Sequence, residues 1–305
     1  MEQPQLITIG HIIKEVIRFP EKEIGPVLGS PAAYSAVTAS RLGTKTGVVT
    51  RIGTDMPAAL LQPLRDAGID TRGIKIDGEN SRTTVLMYDA AGNKRILYEK
   101  VAPPIQFEDV PPAYLAAKAA LICPMDYEVP LATMQRLAQR GLLLMADLGG
   151  FGGTVATAHP LSGKAEDHAF LKELVQYCSV IKASLEDCQY LFGPLQDAGI
   201  AGRFLLELGA QTAIITLGGD GSQVFTGEEK LVIPPFPARV IDTTGAGDAF
   251  CGAFLVEYLR SRDLRQAARF ASAAASLMIE ETGGVLARRM PTTEQVKARL
   301  AQAYN

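Results

Sequence analysis

Short apolar runs closed by glycine alternate along most of this chain with longer segments whose apolar residues recur every three or four positions. The opening run LITIG stops at Gly10, and a brief stretch that is apolar throughout is the pattern of a strand covered on both faces. Residues 11–28 carry a mixed pattern. Ala32 to Leu42 is Ala-rich with helical spacing, ends at Gly43 and leads into strand-like TGVVTRIG, which predicts a strand–helix–strand unit. Pro57 to Gly68 reads as one helix with glycine as its stop.

The rhythm breaks after Ile76. SRTTVLMYD and NKRILYEK flank the turn AAGN, two β-rich runs that predict a hairpin. Together with part of the preceding mixed stretch this predicts a small β lid built from non-contiguous segments, about 11–28 and 78–102. From Ala120 the alternation returns. ALICP, LLLMADL, SVIKAS, TAIITLG and LVIPPF read as strands, and residues 130–141, 168–178, 185–192, 201–208, 246–260, 264–279 and 293–303 as helices. The expected fold class is therefore α/β, a mostly parallel central sheet with helices on both faces plus the lid, with ligands at the carboxyl ends of the strands. No repeat or linker divides residues 1–305, so one domain is expected.

Composition narrows the classes. With 47% hydrophobic and 21% charged residues the chain can bury a sizeable core, and its formal net charge of −3 comes without a Lys/Arg block long enough to follow a phosphate backbone. Nucleic acid is not expected as a partner, and any anion site must be local. Cys123, Cys178, Cys188 and Cys251 form no CxxC pair and read as buried thiols of a reducing compartment. His11, His159 and His168 lack metal-ligand spacing. The N-terminus has no basic segment followed by an apolar one and no apolar run reaches bilayer length, so the expectation is a cytoplasmic protein with no membrane partner.

Candidate chemistry concentrates in VIDTTGAGDAFCGAFLVEYL, residues 240–259. A strand ends near Asp242, a helix starts near Ala246, and the small residues between them let backbone N–H groups at the helix N-terminus face an anion. A carboxylate beside an anion is electrostatically awkward unless it accepts a proton. Gly245, Ala246 and Gly247 thus read as an anion hole for a phosphoryl group, and Asp248 as the base for an acceptor hydroxyl. The plain alternative is a dipole-complementing Asp after a tight turn.

The string DTTGAGDAFCGAF resembles the C-terminal signature of the ribokinase-like (PfkB) carbohydrate kinases, and the likeness extends over nearly the whole chain. That resemblance implies an ATP-dependent kinase of a sugar or polyol hydroxyl, with Mg²⁺ and a monovalent cation such as K⁺. GSPAAYSAVTASRLG is similar to the family's glycine-rich stretch under the substrate, which puts Gly29, Ser30 and Tyr34 at the acceptor, Ser30 where a second glycine is familiar and Tyr34 where Asn is frequent. Glu15 stands five residues after Gly10, where the family often has an Asp on sugar hydroxyls; read alone it is a solvated lid residue. Asp147, ending a strand in ADLGGFGG, is a further acceptor candidate, and His11 tilts the acceptor toward polyols.

IKASLEDCQYLFG resembles the family's Asn-x-x-Glu segment, with Ser184 and Asp187 at its two positions and Asp187 reaching Mg²⁺ through water; read alone, SLED is a helix cap with an acidic first turn. TLGGDG looks like the nucleotide phosphate loop through Thr216, Gly218 and Gly221. ASAAASLMIEETGG occupies the place of the adenine pocket and cation loop, which implies Ser272 and Gly283 as nucleotide contacts and Asp242 and Thr244 as cation neighbours.

Other readings stay open at this stage: a nucleoside or pseudouridine kinase of the same fold, or a non-catalytic sugar-sensing homologue. A dinucleotide-binding oxidoreductase fails for want of GxGxxG after the first strand, and a P-loop kinase for want of GxxxxGK[ST]. The resemblance, with the exposed face of the lid, implies a homodimer through it.

Overall fold

A computed structural model describes residues 3–89, 94–151 and 164–302. The chain opens with β1 (Leu6–Ile9), β2 (Ile13–Arg18), β3 (Glu23–Gly29) and α1 (Pro31–Arg41). Next come β4 (Thr46–Ile52), α2 (Gln62–Asp66), β5 (Asp70–Ile76), β6 (Thr83–Tyr88) and β7 (Lys94–Lys100). The middle holds β8 (Ala119–Ile122), α3 (Leu131–Gln139), β9 (Leu143–Asp147), α4 (Lys164–Tyr177), β10 (Val180–Ser184), α5 (Leu185–Phe192), α6 (Ala198–Glu207) and β11 (Thr212–Thr216). It closes with β12 (Ser222–Phe225), β13 (Lys230–Ile233), α7 (Ala246–Ser261), α8 (Leu264–Met278) and α9 (Thr293–Gln302).

The main sheet runs in the order β13-β12-β11-β10-β9-β8-β1-β4-β5. It is parallel from β11 to β5, and β12 and β13 add an antiparallel edge. Its strands are short and apolar because alternate side chains enter different cores. In β8, Ala120 and Ile122 join the core of α3–α6, whereas Ala119 and Leu121 join the core of α1, α7, α8 and α9. Burial on both faces leaves no polar alternation to read.

The lid is a separate sheet, β3-β2-β6-β7, with β2 and β6 parallel and the outer pairs antiparallel. Asp55, just past the carboxyl end of β4, tethers it: its carboxylate accepts from Lys14 of β2, from Lys100 of β7 and from the Ser81 N–H. Burial works against that charge, but these donors hold the Asp55 carboxyl down at about 2.

One local expectation is corrected, and one strand was not anticipated. The helix read over 57–68 divides into a 3-10 turn, Ala58–Leu61, and α2, because Pro63 has no N–H to continue an α-helix through it. Strand β12, SQVF, was too short and polar to read. The AAGN turn, Gly152 and Gly153 of ADLGGFGG, His159 and Ala303 lie outside the described residues.

One seam sets the position of the site. α1 and α7 pack so closely that a Cβ on Gly252 would lie 2.6 Å from the Ser35 carbonyl oxygen, and the Ser35 hydroxyl donates to the Asp248 carbonyl at 2.9 Å.

Candidate active site

Asp242 closes the segment leading to α7. One of its carboxylate oxygens accepts the Thr244 N–H at 2.9 Å, which turns the chain toward Gly245. Gly245 is left-handed at φ 78°, and a Cβ there would lie 2.7 Å from the Tyr34 ring, so both backbone and packing require glycine. α7 then starts at Ala246, whose N–H closes on the Thr243 carbonyl at 3.1 Å. This corrects the expected anion hole. Ala246 has already used its donor on Thr243, which removes it from the expected set and leaves the Gly245, Gly247 and Asp248 N–H groups at the positive end of the helix.

Asp248 is half-buried in that first turn. Burial, then the nearby charge of Asp147, lift its carboxyl to about 7; Lys182 opposes the rise and Glu15 adds to it. A base poised near neutrality suits removal of a hydroxyl proton.

Behind the turn lies an ion pair that sequence reasoning missed. Lys182, inside β10, sits in register beside Asp147 at the end of β9, with Nζ 3.0 and 3.2 Å from its two oxygens. A Cβ on Gly247 would come within 2.9 Å of that Nζ, so the ammonium abuts the backbone of the first turn of α7. Burial alone would lower its pKa, yet Asp147 overrides this and keeps Lys182 charged. Asp147 also accepts the Gly149 N–H at 3.0 Å and faces the Cys251 thiol at 3.5 Å. The structure thus binds Asp147 to Lys182 rather than leaving it open to an acceptor. A lysine in the middle of buried SVIKAS was the available signal.

On one side of α7 opens a cavity of about 530 Å³. Thr216, Gly218, Gly221 and Ser272 line it, with Phe250, Ala275, Ala246 and Gly247. Gly283 is not among its lining residues; its carbonyl accepts from Arg289 at 2.8 Å instead. Nor are Ser184 and Asp187, which form a reciprocal cap at the start of α5: the Ser184 hydroxyl accepts the Asp187 N–H at 3.0 Å, and Asp187 Oδ2 accepts the Ser184 N–H at 2.9 Å. The observed geometry is that of the helix-cap reading of SLED. Among the described residues no group of three or more His, Cys, Asp or Glu could hold a metal alone. Asp187 fits magnesium only as a water-mediated partner of a phosphate-bound ion.

The other side faces the lid. Glu15 of β2 covers Gly29, where a Cβ would lie 3.0 Å from its carboxylate. Ser30 caps α1, its hydroxyl accepting the Ala33 N–H at 3.3 Å, although its φ of 138° suits glycine. Tyr34 is buried against Gly245, and burial followed by the Glu15 charge pushes its phenol up. The Glu15, Gly29, Tyr34, Gly245 and Asp248 positions therefore converge. His11 does not join them: its Nε2 lies 3.0 Å from the Pro103 carbonyl, and burial lowers its pKa so that it stays neutral. With that nitrogen on a backbone carbonyl, its tilt toward polyols has no structural basis.

Comparisons with known proteins show the family of the chain. Residues 4–290 match the family model described as pfkB family carbohydrate kinase. The chain is 30% identical to a cytidine kinase of Thermococcus kodakarensis over 91% of its own length and 97% of the relative's. It is 27% identical to the ribokinase of Bacillus subtilis, covering 90% and 88% of the two. The solved ribokinase of Arabidopsis thaliana, in complex with ribose and ATP, superposes with a TM-score of 0.80 over 98% of this chain and 99% of that one, at 22% identity.

Proposed function

Because the chain belongs to the pfkB carbohydrate kinase family, and so is a phosphotransferase, we propose that it moves the γ-phosphoryl group of ATP to a hydroxyl of a sugar or polyol. The observation that carries this reading is the position of Asp248. Its carboxyl, held at about 7, stands in the turn that separates the 530 Å³ cavity from the surface of Glu15 and Gly29.

The cavity is large enough for a nucleoside and opens on Ala246 and Gly247, so a donor lying in it presents its terminal phosphate to α7. Asp248 takes the proton of the acceptor hydroxyl as its oxygen bonds to phosphorus and the bond to the nucleoside diphosphate breaks. The Gly245, Gly247 and Asp248 N–H groups, with Lys182 behind them, stabilise charge on the transferred group. Magnesium on the triphosphate would screen its charge, with Asp187 holding a water. Glu15 accepts acceptor hydroxyls, and the lid excludes water as a competing acceptor. Ile24 and Leu97, 41% and 37% exposed on lid strands β3 and β7, support pairing of two copies through the lid.

A nucleoside acceptor is the second reading, favoured by the 30% identity to a cytidine kinase along almost the full length. The test is ADP release from MgATP across sugars, polyols including inositols, and nucleosides. Turnover confined to one class names the acceptor. Turnover on none of them, with ATP bound, would overturn the proposal.

A further inference from the structure

The turn that forms the anion hole is held from outside by one side chain. Arg289 is 3% exposed, and its guanidinium meets four oxygens at once. Nε donates to the Glu281 carbonyl at 3.1 Å, Nη1 to the Gly283 carbonyl at 2.8 Å, and Nη2 to the Asp242 carbonyl at 2.9 Å and lies 3.2 Å from the Asp242 carboxylate. The second Asp242 oxygen accepts the Thr244 N–H, one residue before Gly245. The Arg289 charge thus acts on the phosphate-binding turn through a single intervening residue.

These oxygens come from the place where a monovalent cation was expected. A K⁺ ion needs several carbonyl and carboxylate oxygens converging on empty space. Here the converging oxygens belong to Asp242, Glu281 and Gly283, and each already faces a guanidinium nitrogen. A second positive charge about 4 Å from the first would lose a factor of about 10³ in affinity at an effective dielectric of about 20. The residues present do not fit a free monovalent ion bound by Asp242 and the loop after α8.

We propose that Arg289 is a built-in cation: it positions the Asp242–Gly245 turn for phosphate binding and makes this kinase independent of K⁺ and Na⁺. The inference rests on the kinase reading for its effect on turnover, but not for its effect on nucleotide binding. The guanidinium suits this role because its rigid fork serves carbonyls and a carboxylate in different directions, and it needs no filling from solution.

The test measures ATP affinity by calorimetry and, with the acceptor found, kcat and KM, in chloride salts of potassium, sodium and tetramethylammonium at one ionic strength. Wild-type values are expected to agree within about twofold across the salts. Arg289→Ala is expected to weaken ATP binding and lower kcat at least about tenfold, with partial recovery in K⁺ or added guanidinium but not in tetramethylammonium. Arg289→Lys, which keeps charge and loses the fork, should fall between. A wild-type protein that binds ATP more than about fivefold better in K⁺ than in tetramethylammonium overturns the proposal, as does an Arg289→Ala protein that matches wild type. Should that variant fail to fold, the wild-type salt series decides. Absence of turnover on every acceptor, with salt-independent ATP binding, counts against the kinase reading and leaves the built-in cation supported.

Discussion

Replacing Lys182 by methionine tests whether the buried ammonium sets the working pH of Asp248. The substitution keeps the stem volume and removes one charge from beneath Gly247. Lys182 lowers the Asp248 pKa and Asp147 raises it, with Asp147 the larger of the two charges' effects. A unit charge at a separation on the order of 7 Å and an effective dielectric of about 20 is worth about 2.4 kcal/mol, or about 1.7 pH units. As the proposed base, Asp248 acts when deprotonated, so the acid limb of kcat/KM, expected near 7 in the wild type, should move up to between about 8 and 9 in Lys182→Met. The same change strands a buried Asp147 and should cost about 3–5 kcal/mol of stability. Adding Asp147→Asn removes the stranded charge. The double variant should regain most of that stability, and its acid limb should return to or below the wild-type position because the larger repulsion has gone. The assays are a pH–rate profile from pH 5.5 to 9.5 and urea unfolding of all three proteins. An acid limb that stays put in Lys182→Met, or that is the same in single and double variants, would refute the electrostatic argument.

Other perturbations bear on the rest of the site. Asp248→Asn should lower kcat about 10²–10⁴-fold. It should also stabilise the fold, because a carboxyl raised from 3.8 to about 7 has its penalty absent below its unfolded pKa and fully present above the folded one. Urea titrations should therefore show a gain of about 2–4 kcal/mol at pH 8.5 that disappears by pH 3.5, and no gain at pH 8.5 would count against the shift. Ser30→Gly should add about 1 kcal/mol, since relief of strain at φ 138° exceeds the few tenths lost with the hydroxyl cap; a lower denaturation midpoint refutes it. Ala275→Phe fills the cavity and should raise KM for ATP at least about tenfold while leaving the acceptor KM within about twofold. An equal rise in both would show that the cavity is not the nucleotide site.

Much of this was legible in the chain, and the exceptions have a common cause. The strands LITIG and SVIKAS, helix α5 with its SLED cap and helix α7 after GAGD all declare themselves through local pattern. Lys182 did not, because its meaning depends on a partner 35 residues away that only the β9–β10 register brings alongside. Arg289 hides for the same reason. An arginine pair in a glycine-rich tail reads as surface until the loop after α8 folds back on Asp242. Asp147 and Gly283 were placed by likeness to a family, and in each case a charged side chain of this chain, distant or unremarkable in sequence, has claimed the group. Strand β12 was missed because four residues of mixed polarity at a sheet edge leave too short a trace.

The seam between α1 and α7 has a consequence for how such a scaffold can diversify. Where Gly252 meets the Ser35 backbone, one methyl group would force the two helices apart, since no flexible side chain is there to give way. Helix α1 with its cap carries Ser30 and Tyr34, and α7 carries Asp248, so the gap between the proposed acceptor surface and the proposed base is gauged by a missing carbon atom. A displacement of about 1 Å at that distance is enough to cost about a hundredfold in rate. New acceptor preferences are therefore available through the lid strands, which meet the site edge-on and can change residue by residue, while the helical seam must be inherited whole.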